Sequence, residues 1–121
     1  MHYHHLYMDA GGESRWKDVD IALEVKTFAP PAQSIEISEG RASRNMLFLR
    51  LRAGWNEPVH PTPIRQTLVC LRCAVRVTSS DGDIRDIGPG DLWLMEDTGG
   101  RGHHTEVTSA DDFEAVIVQH D

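Results

Sequence analysis

The sequence predicts an all-β fold, a barrel or sandwich of short strands forming a single domain over residues 1–121. Three observations carry that prediction. Apolar residues alternate with polar or small ones at a period of two, the mark of strands with one face buried. Glycine and proline punctuate the chain every ~8–12 residues, as in barrels and sandwiches. Helical periodicity is absent over any window of eleven or more residues.

Taken in order, the elements read as follows. His2 and His4 alternate in the manner of a first strand or a frayed end. Residues 12–19 are the nearest approach to a helix and have room for one turn at most. Residues 20–28 place Ile21, Leu23 and Val25 on one face and read as a half-buried strand, stopped by Pro30-Pro31. A short strand follows over 34–38. From Met46 to Arg52 the leucines Leu47, Leu49 and Leu51 face one way, and Phe48, Arg50 and Arg52 the other. Residues 67–78 are rich in β-branched side chains and long enough for two strands or one bent strand. Ser79-Ser80-Asp81-Gly82 is a hairpin turn, because glycine accepts positive φ and aspartate bonds its own backbone. Strands over 83–87 and 91–95 flank a second turn at Gly88-Pro89-Gly90, and 112–119 closes the chain.

Composition narrows the classes of function. The net charge is −7 with histidines neutral. A phosphate backbone needs a basic face to release its counterions, so no nucleic-acid partner is expected. No apolar run reaches the ~20 residues that span a bilayer. Met1-His-Tyr-His-His-Leu-Tyr lacks the basic and apolar regions of a secretory signal, so the expectation is a cytoplasmic protein with no membrane contact. Cys70 and Cys73 are spaced C-x-x-C, but a zinc ribbon needs a second pair and a thioredoxin-like motif a βαβ setting. They read as small core or turn residues.

Two segments are unlike ordinary strand and turn. The first is Gly54-Trp-Asn-Glu-Pro-Val-His60-Pro-Thr62-Pro-Ile-Arg-Gln66, whose prolines stiffen the backbone around His60 at a sheet rim. The second runs from Gly88-Pro-Gly-Asp through Trp93 and Glu96-Asp-Thr into a glycine-rich loop that delivers His103 and His104.

These segments resemble the two motifs of the cupin superfamily. Gly54 and His60 match the first motif, with Thr62 where its second His stands, Gln66 in the Glu place and Cys73 in the place of the final Gly. Pro89-Gly90-Asp91 and His103 match the second. The resemblance to small single-domain cupins extends to Gly-Glu-Ser near residue 12, His-Pro-x-Pro-x-Arg-Gln at 60–66 and Glu-Asp-Thr-x-Gly-x-Gly-His at 96–103. It implies a double-stranded β-helix, or jelly-roll barrel, around an internal pocket lined by His60, Gln66 and His103. It also implies that those three side chains are what remains of a metal-ligand set for Zn, Mn, Fe or Ni. An amide oxygen binds metal more weakly than a carboxylate, so a metal held there is a sharper Lewis acid and easier to lose. Without metal, His60 and His103 are pocket histidines able to act as base and acid near neutral pH, with Gln66 beside them.

Other residues carry two readings each. Arg50 anchors a substrate carboxylate if its strand face looks inward, or is a solvated rim residue if it does not. Trp55 and Trp93 wall the pocket or pack in the core. Thr62 bonds a histidine or meets substrate. His104 should point opposite to His103, so one of the two enters the pocket. Glu57 and Glu96 are mouth carboxylates or solvated surface.

The expected function is an enzyme of isomerase, lyase or cyclase type, acting on a small carbonyl or carboxylate compound by metal-assisted or His-mediated proton transfer. Dioxygenase chemistry is disfavoured because it normally needs three strong protein ligands. The alternative is a small-molecule-binding or sensor module without turnover or metal. A homodimer is expected, because open sheet edges need cover, with the N-terminal strand as the element extending a neighbour's sheet.

Overall fold

The computed structural model describes all residues 1–121 and is built entirely of β-strands and loops. No helix is long and apolar enough to cross a membrane. Eleven strands run in chain order: β1 (His2–Met8), β2 (Ser14–Asp20), β3 (Glu24–Lys26), β4 (Ile35–Ile37), β5 (Asn45–Leu51), β6 (Gln66–Arg72), β7 (Val75–Ser79), β8 (Ile84–Ile87), β9 (Leu92–Glu96), β10 (His103–Val107) and β11 (Phe113–Gln119).

A six-stranded sheet, ordered β2-β1-β9-β6-β11-β5, faces a three-stranded sheet, β10-β7-β8. Most neighbours pair antiparallel; β1 and β9 run parallel. The core lies between the two sheets and joins Leu6, Trp16, Leu68, Cys70, Trp93 and Phe113 from the large sheet to Val75, Val77, Ile87 and Val107 from the small one. Period-two alternation sorts these inward: on β11, Phe113, Ala115 and Ile117 are buried while Glu114, Val116 and Val118 face out.

The 67–78 segment is two strands rather than one. It turns from the large sheet to the small one at Cys73, whose φ of 66° is the only positive value at a non-glycine residue. The turns at 79–82 and 88–90 form as expected, with Gly82 and Gly90 at positive φ.

Two sequence expectations are corrected. Residues 14–20 are a strand, not a helical turn, because alternation buries Ser14 and Trp16 against the core. Residues 20–28 are not a half-buried strand. Beyond Asp20, which ends β2, only Glu24–Lys26 is extended, and it pairs with β4 in a two-stranded arm whose Leu23 and Val25 are exposed. A groove of about 760 Å³ separates the base of this arm from the outer face of the large sheet, with Ile37 and Arg41 on one side and Tyr3, Leu92, Leu94 and Val118 on the other.

Candidate functional site

The proline-rich segment between β5 and β6 lies along β10. Val107 N–H donates to the Trp55 carbonyl at 2.8 Å, and His60 and His103 exchange both backbone hydrogen bonds, at 3.1 and 3.0 Å. Gly102 makes this approach available. Its φ is +74°, and a Cβ there would fall 2.3 Å from the His60 carbonyl carbon and 2.5 Å from Pro61 N. Only glycine fits that combination of left-handed backbone and direct contact.

The side chains follow from that pairing. The His60 and His103 rings stand 5.5 Å apart, centroid to centroid. His103 is buried and its Nδ1 lies 2.6 Å from Oδ2 of Asp97, itself completely buried. Thr62 Oγ1 donates to the other carboxylate oxygen at 2.7 Å, and Thr62 N–H to the Asp97 carbonyl at 3.0 Å. A carboxylate accepts, so the His103 proton sits on Nδ1 and Nε2 keeps its lone pair. His60 Nδ1 donates to the Pro58 carbonyl at 3.0 Å, which leaves its Nε2 in the same state. Two imidazoles are thus held in one tautomer, one deep and one at the surface.

Glu57 Oε2 is 3.4 Å from His60 Nδ1. Burial raises the Glu57 carboxyl above its usual range, and the nearby histidines pull only partly against it. Glu57 is therefore part of this cluster rather than solvated surface. Glu96 is not: it pairs with Arg65 and with His5, whose Nε2 is 2.5 Å away, on the outer face of β9. Trp93 is buried edge-on to His103 at 5.6 Å, with Trp16 5.9 Å beyond it. The indole N–H groups of both tryptophans are buried without an acceptor.

The remaining expected residues are placed as follows. His104 turns outward and bonds Asn56 Oδ1, so His103 is the inward histidine. Trp55 packs at the edge of the core. Gln66 is buried on the inner face of β6, but its amide is engaged by Met95 Sδ and by Gln119 Nε2, each at 3.4 Å. The Thr62 hydroxyl is committed to Asp97 and fully buried, so it does not meet a substrate directly. Arg50 is also corrected: the register of β5 on β11 turns Leu49 and Leu51 inward, and Arg50 pairs with Glu114 on the outer face. None of His60, Gln66 and His103 lines the 760 Å³ groove.

Known structures share this arrangement of strands. A cupin 2 conserved barrel domain protein from Salinispora arenicola superposes with a TM-score of 0.51 at 16% identity, over 84% of this chain and 78% of that one. The cupin domain of Schizosaccharomyces pombe Cnp3 gives 0.51 at 11% identity, over 89% and 73%. The fold is that of a cupin. No protein-family model and no curated protein matches the chain.

Within the cupin barrel, the departures from the family motif have structural counterparts. Cys73, in the place of a motif glycine, carries the left-handed φ that glycine adopts freely. Its partner Cys70 is a core residue with its thiol pushed up to about 11 by burial, which suits packing and not redox chemistry. Gly12-Glu13-Ser14 and the 100–102 loop, both part of the resemblance, meet in space. Ser14 Oγ donates to the Gly102 carbonyl at 2.6 Å, Arg101 N–H donates to the Gly12 carbonyl at 2.9 Å, and the Arg101 guanidinium pairs with Glu13. That network fixes the loop that places His103.

The donor set does not fit a firmly held transition metal. No three His, Cys, Asp or Glu side chains come together anywhere in the chain in a way that could hold an ion. Two imidazoles sharing one ion stand roughly 5 Å apart, which this pair approaches, but a catalytic site needs a third protein ligand. Gln66 is occupied elsewhere, and Thr62 is spent on Asp97.

Proposed function

We propose that this cupin is an enzyme that moves protons on a small carbonyl or carboxylate compound, in an isomerisation, elimination or cyclisation, with the Nε2 lone pairs of His60 and His103 as its bases; the ring that takes the substrate's proton becomes the acid that returns it. One observation carries the proposal: two rings 5.5 Å apart whose Nδ1 atoms are both tied down, leaving two Nε2 atoms for chemistry. Asp97 acts through His103. It holds the ring's tautomer and offsets the positive charge that develops when Nε2 takes a proton. The buried indole donor of Trp93, beside His103, is suited to an oxygen that gains negative charge. Catalysis of this kind needs no bound metal. The free cysteines Cys70 and Cys73 suit a reducing, cytoplasmic compartment.

The test is proton exchange. A panel of small keto, hydroxy and unsaturated acids is incubated with the protein in heavy water, and loss of C–H signals is followed by NMR. At least one compound should exchange or turn over with tag-free, chelator-treated protein, and His60→Ala and His103→Ala should each abolish it. Compounds that raise the melting temperature without exchange would make the cupin a binding or sensor module instead. Activity restored only by added metal would overturn the metal-free mechanism.

A further inference from the structure

The groove under the β3–β4 arm is held in shape by the chain at both ends of the arm. Where the arm leaves β2, Ile21 N–H donates to the Met1 carbonyl at 2.9 Å. Where the chain rejoins the sheet, Arg44 N–H donates to the Gln119 carbonyl at 2.8 Å. Just before that, the buried His120 donates from Nδ1 to the Ala42 carbonyl at 3.1 Å, so its Nε2 accepts from the Thr67 hydroxyl at 2.7 Å. The floor is fixed too. Strand β1 is paired on both sides, by β2 and β9, so it carries Tyr3 as part of the sheet and does not extend a neighbour's.

Both walls are largely apolar. Leu92, Leu94 and Val118 line the sheet side, and Ile21 and Ile37 the arm side. A two-stranded hairpin is marginal in water because it has no core of its own. A molecule lodged between arm and sheet would supply one. The volume of about 760 Å³ lies within the range of small-molecule sites.

Arg41 gives the groove a polar anchor. Every other arginine of the chain is paired with a carboxylate, and Arg41 is not. Its guanidinium lies over the Tyr3 ring instead, 5.6 Å from the centroid. A planar fork stacked on an aromatic face, with no carboxylate on its donors, suits the carboxylate of a ligand. The same lining disfavours a bare anion. Glu24 and Glu39 also line the groove; Glu24 has Lys26 at 3.5 Å, whereas Glu39 has no cationic partner. These carboxylates repel a second negative charge and attract an ammonium.

We propose that this groove binds a free α-amino acid with a large apolar side chain. Arg41 takes the carboxylate, Glu39 the ammonium, and Leu92, Leu94 and Val118 the side chain. A zwitterion with an apolar body meets all three features at once. A simple aromatic or aliphatic acid leaves Glu39 unmet, and an amine leaves Arg41 unmet. The site shares no residue with the His60–His103 pair, so it stands or falls separately from the proposed proton chemistry.

Isothermal titration of the tag-free chain with L-phenylalanine and L-leucine tests this, with L-serine as the polar control. Both apolar amino acids should bind with dissociation constants below about 1 mM, and serine should not. 3-Phenylpropionate lacks the ammonium and L-phenylalaninamide the carboxylate; each should bind at least about tenfold more weakly than phenylalanine. In Arg41→Ala the constant for phenylalanine should rise at least about tenfold, and the amide should lose its disadvantage. In Glu39→Gln the same should hold for 3-phenylpropionate. Both side chains are exposed, so the melting temperature of each variant should match the parent's. Amide NMR shifts on adding phenylalanine should gather at Tyr3, Thr67, Leu94 and Val118. Shifts centred on His60 and His103, an affinity indifferent to Arg41→Ala, or no binding at millimolar concentrations would overturn the proposal. Groove shifts that follow protein concentration and ignore the amino acid would assign the groove to a second copy, and would overturn it as well.

Discussion

At the scale of single residues, Asp97 decides what His103 can do. In Asp97→Asn, the Thr62 hydroxyl still has an oxygen to bond, but the amide nitrogen then faces His103 Nδ1. Nδ1 must accept, the proton moves to Nε2, and the free lone pair is lost. We expect proton-exchange activity to fall by at least about tenfold, with a barrel that still folds. Asp97→Ala removes the buried acceptor from both partners and should cost roughly 2–4 kcal/mol in urea unfolding. Losses of equal size in both variants' stabilities would reduce Asp97 to a structural role. Cys73 is a second such position. Because its φ is 66°, Cys73→Gly should fold at least as stably as the parent, whereas the β-branched Cys73→Val should lose about 1–2 kcal/mol. Equal melting temperatures for the two would contradict a left-handed conformation there.

At the scale of elements, the pairing of the proline-rich segment with β10 holds the site together, and Gly102 is where it is most sensitive. Gly102→Ala puts a methyl into the His60–Pro61 backbone and strains a left-handed residue. It should cost at least about 2 kcal/mol and reduce activity beyond the loss of folded protein, since His60 must move away from His103. Unchanged kinetics in this variant would dissociate the two histidines from function. The same scale shows what was legible in the sequence. Strands β4 to β9 and β11 could be read because period two and turn residues are local signals, and His60 and His103 because motif spacing marks them. Strand β2 was hidden because it buries only Ser14 and Trp16, and the next residue on that face is the exposed Asp18, so no run of alternating apolar residues marks it. The arm was misread because alternation of Ile21, Leu23 and Val25 is the same whether the apolar side meets a core or stays exposed. Asp97 lay within the Glu-Asp-Thr stretch, but nothing local distinguishes a buried carboxylate six residues before a histidine from a loop aspartate. Arg50 depended on which way the Leu47–Leu51 face turned, and only the register with β11 fixes that.

At the scale of the whole molecule, stability is tied to pH through the strand that anchors the sheet. Burial lowers His4 below its ordinary 6.5, with Arg85 adding to the effect. Burial also lowers His5, against the pull of Glu96. As pH falls through 6.5, the unfolded chain takes up protons that the folded chain refuses, so stability drops. Burial alone would raise Glu96, but Arg65 and His5 outweigh it and hold it low, which adds a further loss at more acid pH. Glu57 works the other way: raised by burial, it loses its contribution as pH rises through its folded value. The melting temperature should therefore fall between about pH 7 and pH 5, and substitution of His4 and His5 by Asn should flatten that slope. A slope unaffected by the pair would place the acid sensitivity elsewhere. The proposed function requires the barrel to hold two imidazoles with their Nε2 atoms unprotonated, and histidine tautomers can be observed directly. Long-range proton–nitrogen NMR of the labelled protein, at a pH where the rings are neutral and with His60→Gln and His103→Gln for assignment, should show both residues protonated on Nδ1. A proton on Nε2 of either ring would contradict the account.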